Sequence, residues 1–229
     1  VNRRGIVETT VLVVAKAPIA GFAKTRLTPP LRPTDAAKLA AAALLDTLAA
    51  VRASGARRAV VAWTGELADA QYSAEIEREL VDFEVVPQRG RTFGERLANA
   101  HTDAAQFGLP VLQIGMDTPQ ITPELLAGAA GHLVSGRDAV LGPATDGGWW
   151  ALGLTDPRAA RLLTDVPMST HRTGELTRET LAANGFDITL LSTLTDVDHV
   201  DDIATVAAVS SGLFGAVAAD LMIASGTGP

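Results

Sequence analysis

Two lysines and an arginine, Lys16, Lys24 and Arg26, fall in one short segment, AKAPIAGFAKTRL, at residues 15–27. The whole chain has only three lysines among 19 basic residues, so two of them here are a local concentration of compact ammonium groups. Carboxylates stand in three later segments: Asp117 in IGMDTP, Asp146 in PATDGG, and Asp196 with Asp198 in TDVDHV. Lysine meets phosphate as a point charge and arginine as a bidentate fork. Carboxylate oxygens suit Mg2+ or Mn2+, which bind through one or two acids and complete their shells with water and substrate phosphate. Brought together, these groups would hold a phosphorylated substrate with a divalent metal between it and the protein.

Bringing them together is a matter of which elements carry them. The apolar β-branched run at 7–15 reads as a buried strand. Thr34 and Asp35 can cap a helix through about residue 53, with Gly55 as its stop. Further strands are expected at 59–63, 83–86, 111–116, 139–141, 149–154 and 188–191. Helices are expected at 68–80, 94–106, 123–134, 157–163, 174–183 and after Val200. Leu97 and Ala100 would lie on the inner face of their helix, and Trp149 and Trp150 on opposite faces of their strand.

Alternating strands and helices of these lengths predict an α/β fold with a mixed, mostly parallel sheet and helices on both faces. The link GPATDGG is too short for a helical crossover, so the strands it joins should be antiparallel. Ligands of open α/β sheets bind beyond the carboxyl ends of the strands. The 16–32 loop, Asp117, the 145–148 turn and the 196–198 segment all fall at such ends.

Each feature also has an ordinary role. The basic loop could be a solvated surface loop, although loops of its length are usually functional or disordered. Asp117 could cap a turn, and Gly147 and Gly148 could simply close one. Asp201 and Asp202 suit the first turn of a helix and are read as structural. The four histidines lack metal-ligand spacing and are read as surface or packing residues, with His171 alone held open. Neither a Walker loop nor G-x-G-x-x-G is present. DVDHV after an apolar strand also resembles an aspartyl-phosphatase opening, but about thirty residues are too few for the domain such enzymes build after it.

Composition bounds the class. At 229 residues, with 47% hydrophobic and 20% charged positions, the chain is read as a single domain, with a core over about 7–209 and a C-terminal tail at 210–229. A net charge of −7 argues against a sequence-independent grip on nucleic acid. The lack of cysteine excludes disulfides, thiolate zinc sites and a cysteine nucleophile, and suits the cytoplasm. No signal peptide is read at the start, because the apolar run at 7–15 is short and holds Glu8. The charge-free stretch at 203–219 is read as a C-terminal helix packed on the core, not a membrane span.

KAPIAGFAKTRL, IGMDTP, LGPATDGGWWALGL, MST and DVDHVDDI occur in the order found in a bacterial glycosyltransferase family. That family has the GT-A, or nucleotide-diphospho-sugar transferase, fold and is of the type associated with radical-SAM and selenodomain proteins. The resemblance runs from about residue 11 to 203. KTRL is also similar to the opening of 2-phospho-L-lactate guanylyltransferase, and the late DVD to molybdenum-cofactor guanylyltransferases. It implies a single Rossmann-like domain of GT-A type with a nucleotide held by the 15–26 loop. Lys16, Gly21, Lys24, Arg26 and Arg96 are the nucleotide-binding set it points to, with a Mg2+ or Mn2+ on Asp117 and the late acids, Asp198 ahead of Asp196. The chain departs from the pattern at several points. Trp149-Trp150 replaces a tyrosine pair, Met168 the tryptophan of W-S-T, and Arg91-Thr92-Phe93 the Gly-Asp-Leu before GERL. DVDHVDD lacks the family's proline, and a lone Asp117 stands where glycosyltransferases usually carry D-x-D.

The expected function is metal-dependent transfer of a sugar from a nucleotide diphosphate sugar to an unidentified small-molecule acceptor. Lys24, Arg26 and the metal would stabilise the leaving diphosphate. Asp146 would act on the acceptor side, as base or as hydroxyl-orienting group. Nucleotidyl transfer from a nucleoside triphosphate to a small phosphorylated acid is the alternative. A nucleotide-binding protein of weak activity is a third, kept open by the lone Asp117. Homo-oligomerisation is left open.

Overall fold

The run VETTVLVVAK forms β1 (Val7–Lys16), and the reason for its unbroken hydrophobicity is visible in its neighbours. Val11, Val13 and Ala15 enter one core layer while Leu12 enters the other, so both faces are covered. The structure, a computed structural model, describes residues 5–224.

Helix α1 (Pro33–Ala53) follows the opening loop, then β2 (Ala56–Thr64), α2 (Ser73–Leu80) and β3 (Glu84–Pro87). Next come α3 (Phe93–Ala104), β4 (Val111–Gly115), α4 (Pro123–Val134), β5 (Ala139–Pro143) and β6 (Trp149–Leu154). Then α5 (Thr173–Ala183), β7 (Ile188–Leu190), α6 (Val200–Ala207) and α7 (Leu213–Ala224) complete the described elements.

The seven strands lie in the order β3-β2-β1-β4-β6-β5-β7. β6 runs antiparallel to β4 and β5, and every other pairing is parallel. The expected mixed, mostly parallel sheet with helices on both faces is what the chain forms, including the antiparallel pair across GPATDGG. The carboxyl ends of β1, β2, β3, β4 and β5 therefore share one rim. Trp150 is fully buried on one face, and half-buried Trp149 packs on the other. Leu97 and Ala100 are buried beneath α3 as expected.

Helix α1 is buried nearly all round, which explains its run of alanines. Ala40, Ala41, Leu44 and Leu48 face the sheet layer, while Ala36, Leu39 and Ala43 meet α6 and α7. Several boundaries differ from the sequence reading. Asp35 does not cap α1: Pro33 is its first residue, and Asp35 pairs with Arg32 at 2.6 Å instead. The helix expected at 68–80 starts only at Ser73, because Tyr72 takes a left-handed backbone (φ 55°) and Gln71 N–H donates to the Pro18 carbonyl. Residues Pro157–Asp165 form a 3-10 helix in place of an α-helix. The apolar stretch at 203–219 divides into α6 and α7, and part of the segment expected to be a tail is α7, which buries Phe214 against α1. The last five residues of that segment lie outside the described residues. Among the described residues no helix is long and apolar enough to cross a membrane.

Candidate functional site

Lys24 is the point where distant parts of the rim meet. The loop after β1 is stitched to the end of β2: Ala17 N–H donates to the Thr64 carbonyl at 2.8 Å, and Gln71 N–H to that of Pro18 at 3.0 Å. Gly21, exposed at the loop's turn, precedes a short 3-10 turn at Thr25–Leu27 that buries Leu27 in the α1–α6–α7 cluster. Lys24 enters that turn with a left-handed backbone, φ 50° and ψ 42°, a conformation costly for a non-glycine residue and often held at functional sites. From there its ammonium reaches inward.

Lys24 Nζ donates to Asp117 Oδ2 and to Asp198 Oδ1, both at 2.7 Å. Arg26 Nη1 donates to the other oxygen of Asp198 at 2.9 Å. Burial by itself would depress the Lys24 ammonium, but the charges of Asp117 and Asp198 outweigh it and hold the pKa above the ordinary lysine value. Burial would raise the Asp198 carboxyl, yet Lys24 and then Arg26 hold it below the usual range. Lys24, Arg26, Asp117 and Asp198 thus form one ion-pair network over the carboxyl ends of β1 and β4.

Asp117 and the late acids are placed by backbone contacts between their segments. Val197 N–H donates to the Asp117 carbonyl at 3.1 Å, and Gln120 Nε2 to that of Thr195 at 2.9 Å. Thr145 N–H donates to the Leu194 carbonyl at 3.0 Å, beside a bridge between Ala144 and Leu194. Asp202 accepts from Asp198 N–H and His199 N–H at the start of α6, the first-turn role expected for this acid. A tight turn at 196–198, in which Asp198 N–H donates to the Asp196 carbonyl at 3.1 Å, sets its two acids apart. Asp198 joins Lys24, whereas Asp196 accepts a 2.6 Å hydrogen bond from the Thr118 hydroxyl. Burial, with the nearby Asp117 charge, pushes the Asp196 carboxyl up to about 7.

The remaining expected residues surround this network. Lys16 Nζ sits over the Phe22 ring, 5.4 Å from its centroid. Partial burial lowers its pKa first, and the neighbouring Lys24 charge lowers it further, against the opposing pull of Asp117 and Asp198. Arg96 lies over the Phe93 ring at 5.6 Å and is close enough for its charge to reach Lys16. Asp146 is exposed in its turn, where its carboxylate accepts from Gly148 N–H at 2.7 Å. Its charge reaches Asp196 but it makes no hydrogen bond to the lysine network. His171 is exposed, and its carbonyl rather than its ring meets this turn, against Gly147.

Three contributors escape a reading of residue type alone. Thr118, adjacent to Asp117 in GMDTP, takes Asp196 out of the network, and its position in that motif was the available signal. Gln88 donates from Nε2 to the carbonyls of Ala15 (2.8 Å) and Ala62 (3.0 Å), tying the ends of β1 and β2 together. Beside it lies an open groove of about 430 Å³ lined by Trp63, Gly65, Val85, Val86, Pro87 and Gln88. The groove borders the same loop, since a side-chain carbon on Gly65 would meet Ala17 and Phe22.

The donor set fits a small hard cation in one respect. Two carboxylate oxygens already share one positive group, as Mg2+ or Mn2+ sites with phosphate ligands require. No group of three or more acidic, histidine or cysteine side chains suited to a metal exists among the described residues. Asp196 stands beside this pair, bonded to the Thr118 hydroxyl and not to Lys24.

Residues 47–170 match DUF2064, a family described as uncharacterized proteins conserved in bacteria. The chain belongs to this family. The match covers more than half of the chain and spans the rim segments carrying Asp117 and Asp146. A search of curated proteins finds no match. Among solved structures, this DUF2064 chain resembles a candidate nucleotide-diphospho-sugar transferase from Desulfovibrio desulfuricans G20, with 25% identity, a TM-score of 0.76 and 86% of each chain covered. It has the same fold as Rv0371c from Mycobacterium tuberculosis H37Rv, solved as a manganese complex, at 14% identity and TM-score 0.55, covering 87% of this chain and 97% of that one. It also shares the fold of a nucleotidyl transferase from Methanothermobacter thermautotroptrophicus, at 16% identity and TM-score 0.53, covering 87% and 95%.

Proposed function

We propose that this DUF2064 chain is a nucleotide-dependent transferase that moves a sugar from a nucleotide diphosphate sugar to a small-molecule acceptor. The observation that carries the reading is the Lys24 ammonium held between Asp117 and Asp198 at the carboxyl end of β1. It joins basic groups for phosphate to a carboxylate pair for a divalent ion. The likeness to the D. desulfuricans protein supports the donor class, and the manganese in the Rv0371c structure supports the metal. The finer resemblance to the radical-SAM-associated transferases belongs to the same reading.

In this reading Asp117 and Asp198 hold a Mg2+ or Mn2+, and Asp196 supports Asp117 through Thr118. Bound there, such an ion would supply positive charge to a departing diphosphate. Lys24 and Arg26 turn from the carboxylates to the phosphate oxygens, and Lys16 and Arg96 add positive charge along the same path. The groove beside Gln88 is large enough for a nucleoside, and its apolar wall at Trp63, Val85 and Pro87 suits a base. Asp146 stands on the open side of the rim, where it can take a proton from an acceptor hydroxyl or orient it.

One observation favours nucleotidyl transfer as a second reading. The two acids on Lys24 come from segments 81 residues apart, and Gly115 stands where a D-x-D pair would place its first acid. The guanylyltransferase-like KTRL motif and the M. thermautotroptrophicus fold agree with it. Incubation of the purified chain with nucleotide diphosphate sugars, and separately with nucleoside triphosphates, in the presence of Mn2+ and a panel of hydroxylated and phosphorylated small-molecule acceptors tests both. Release of a nucleoside diphosphate is the expected result; pyrophosphate release replaces the first reading with the second, and release of neither contradicts both.

A further inference from the structure

We propose that Lys24 is the resident cation of the Asp117–Asp198 pair, and that a divalent metal enters only as nucleotide phosphates draw the ammonium away. The nucleotide half rests on the functional reading above; the competition between Lys24 and metal does not.

The geometry makes the two cations exclusive at the oxygens that Lys24 holds, Asp117 Oδ2 and Asp198 Oδ1. Each acid gives one oxygen to Nζ at 2.7 Å, and Arg26 holds the second oxygen of Asp198. The Lys24 side chain is 10% exposed, so its charge is poorly screened by water. A divalent ion seated on the same two oxygens would lie against the ammonium, and two positive groups in contact repel strongly in such surroundings. Lys24 must leave before metal can bind. It needs a new acceptor when it does, because a buried ammonium without one is costly. Among these surroundings Lys16, Arg26 and Arg96 offer only more positive charge, and the neighbouring acid Asp196 is already bonded to the Thr118 hydroxyl. Phosphate oxygens supply the acceptor.

The charges lead to the same order of events. Asp117 and Asp198 are balanced by Lys24 and Arg26, so metal alone leaves the site overloaded with positive charge. Metal arriving with a diphosphate brings the compensating negative charge. The exchange is then double: the lysine moves from carboxylate to phosphate, and the carboxylates from lysine to metal. Metal and nucleotide bind with positive coupling, each raising the other's affinity by the same factor. The left-handed backbone at Lys24 holds the ammonium at its swap point without tying the side chain elsewhere.

The test is Mn2+ binding to the full chain, read from the loss of the free-ion electron paramagnetic resonance signal. Without nucleotide, Lys24→Met is expected to bind Mn2+ at least about tenfold more tightly than the wild type, since it deletes the competing cation. Lys24→Asn, whose residue type tolerates the left-handed backbone, should do the same, and circular dichroism checks that both variants fold. Equal or weaker Mn2+ binding by folded variants overturns the proposal. In a second arm, saturating nucleoside diphosphate should strengthen Mn2+ binding to the wild type at least about tenfold and to Lys24→Met by less. A gain as large in Lys24→Met overturns the exchange. If the variants bind Mn2+ more tightly but no nucleotide changes wild-type binding, the competition stands and the nucleotide reading falls.

Discussion

Lys24 Nζ stands 2.7 Å from Asp198 Oδ1, although 174 positions separate the two residues in the chain. The contact closes a rim that begins at the end of β1 and ends just before α6. It requires the parallel pairing of β1 with β4 and the placement of the 196–198 segment beside Asp117. Substitutions that test the fold around this contact are therefore also informative about the site.

The turn that carries Asp146 should not tolerate a side chain at Gly147. Gly147 has φ +87°, and a Cβ there would lie 1.9 Å from the His171 carbonyl oxygen, a backbone atom that cannot step aside cheaply. Gly147→Ala is expected to destabilise the chain by about 2 kcal/mol or more, from backbone strain and the collision together. Chemical denaturation measures it; a loss below about 0.5 kcal/mol would show that the turn and the 169–173 segment move independently.

Asp46 of α1 caps α7 from across the fold. Its carboxylate accepts from Leu213 N–H and Phe214 N–H, both at 2.8 Å, and a side-chain carbon on Gly212 would fall 2.3 Å from it. Asp46→Ala should cost about 1–2 kcal/mol, the usual range for a lost helix cap, and Asp46→Asn clearly less. Amide exchange should show faster opening over Leu213–Ala224 in the alanine variant, while β1 and β4 keep their protection.

His101 makes stability depend on pH well away from the site. Its ring is fully buried, neither nitrogen has a hydrogen-bond partner, and burial lowers its pKa to about 4, which the nearby Gln113 amide only partly offsets. The unfolded value is near 6.5, so the unfolded chain takes up the proton first as pH falls. The folded state holds its full advantage above pH 6.5 and loses up to about 3 kcal/mol on acidification towards 4. Urea melts at pH 7 and pH 5 should show a drop of about 2 kcal/mol in the wild type that is largely absent in His101→Leu. An equal drop in the variant would move the effect to other groups.

Much of this architecture is legible in residue order. The apolar runs of β1 and β4, the short GPATDGG link and the acids beyond strand ends fix a mixed sheet and the rim where those acids gather. Local pattern does not separate Asp196 from Asp198, because both lie in one short turn and their partners, Thr118 and Lys24, come from elsewhere. Tyr72 looks like the interior of a helix, yet the bond from Gln71 to Pro18 pulls the chain out of one. The division of α6 from α7 follows from Asp46, 167 positions away from the peptide group it caps. Where the outcome rests on one distant partner, type and spacing are silent.

Binding of nucleoside diphosphates is the most direct test of what the rim does. Isothermal titration of the wild type with ADP, CDP, GDP and UDP, each with Mn2+, should give binding of at least one, weakened about tenfold or more by Asp117→Asn, a change of about 1.4 kcal/mol. Binding of none of the four, or the same affinity in Asp117→Asn, would contradict a nucleotide and metal site built on Lys24, Asp117 and Asp198.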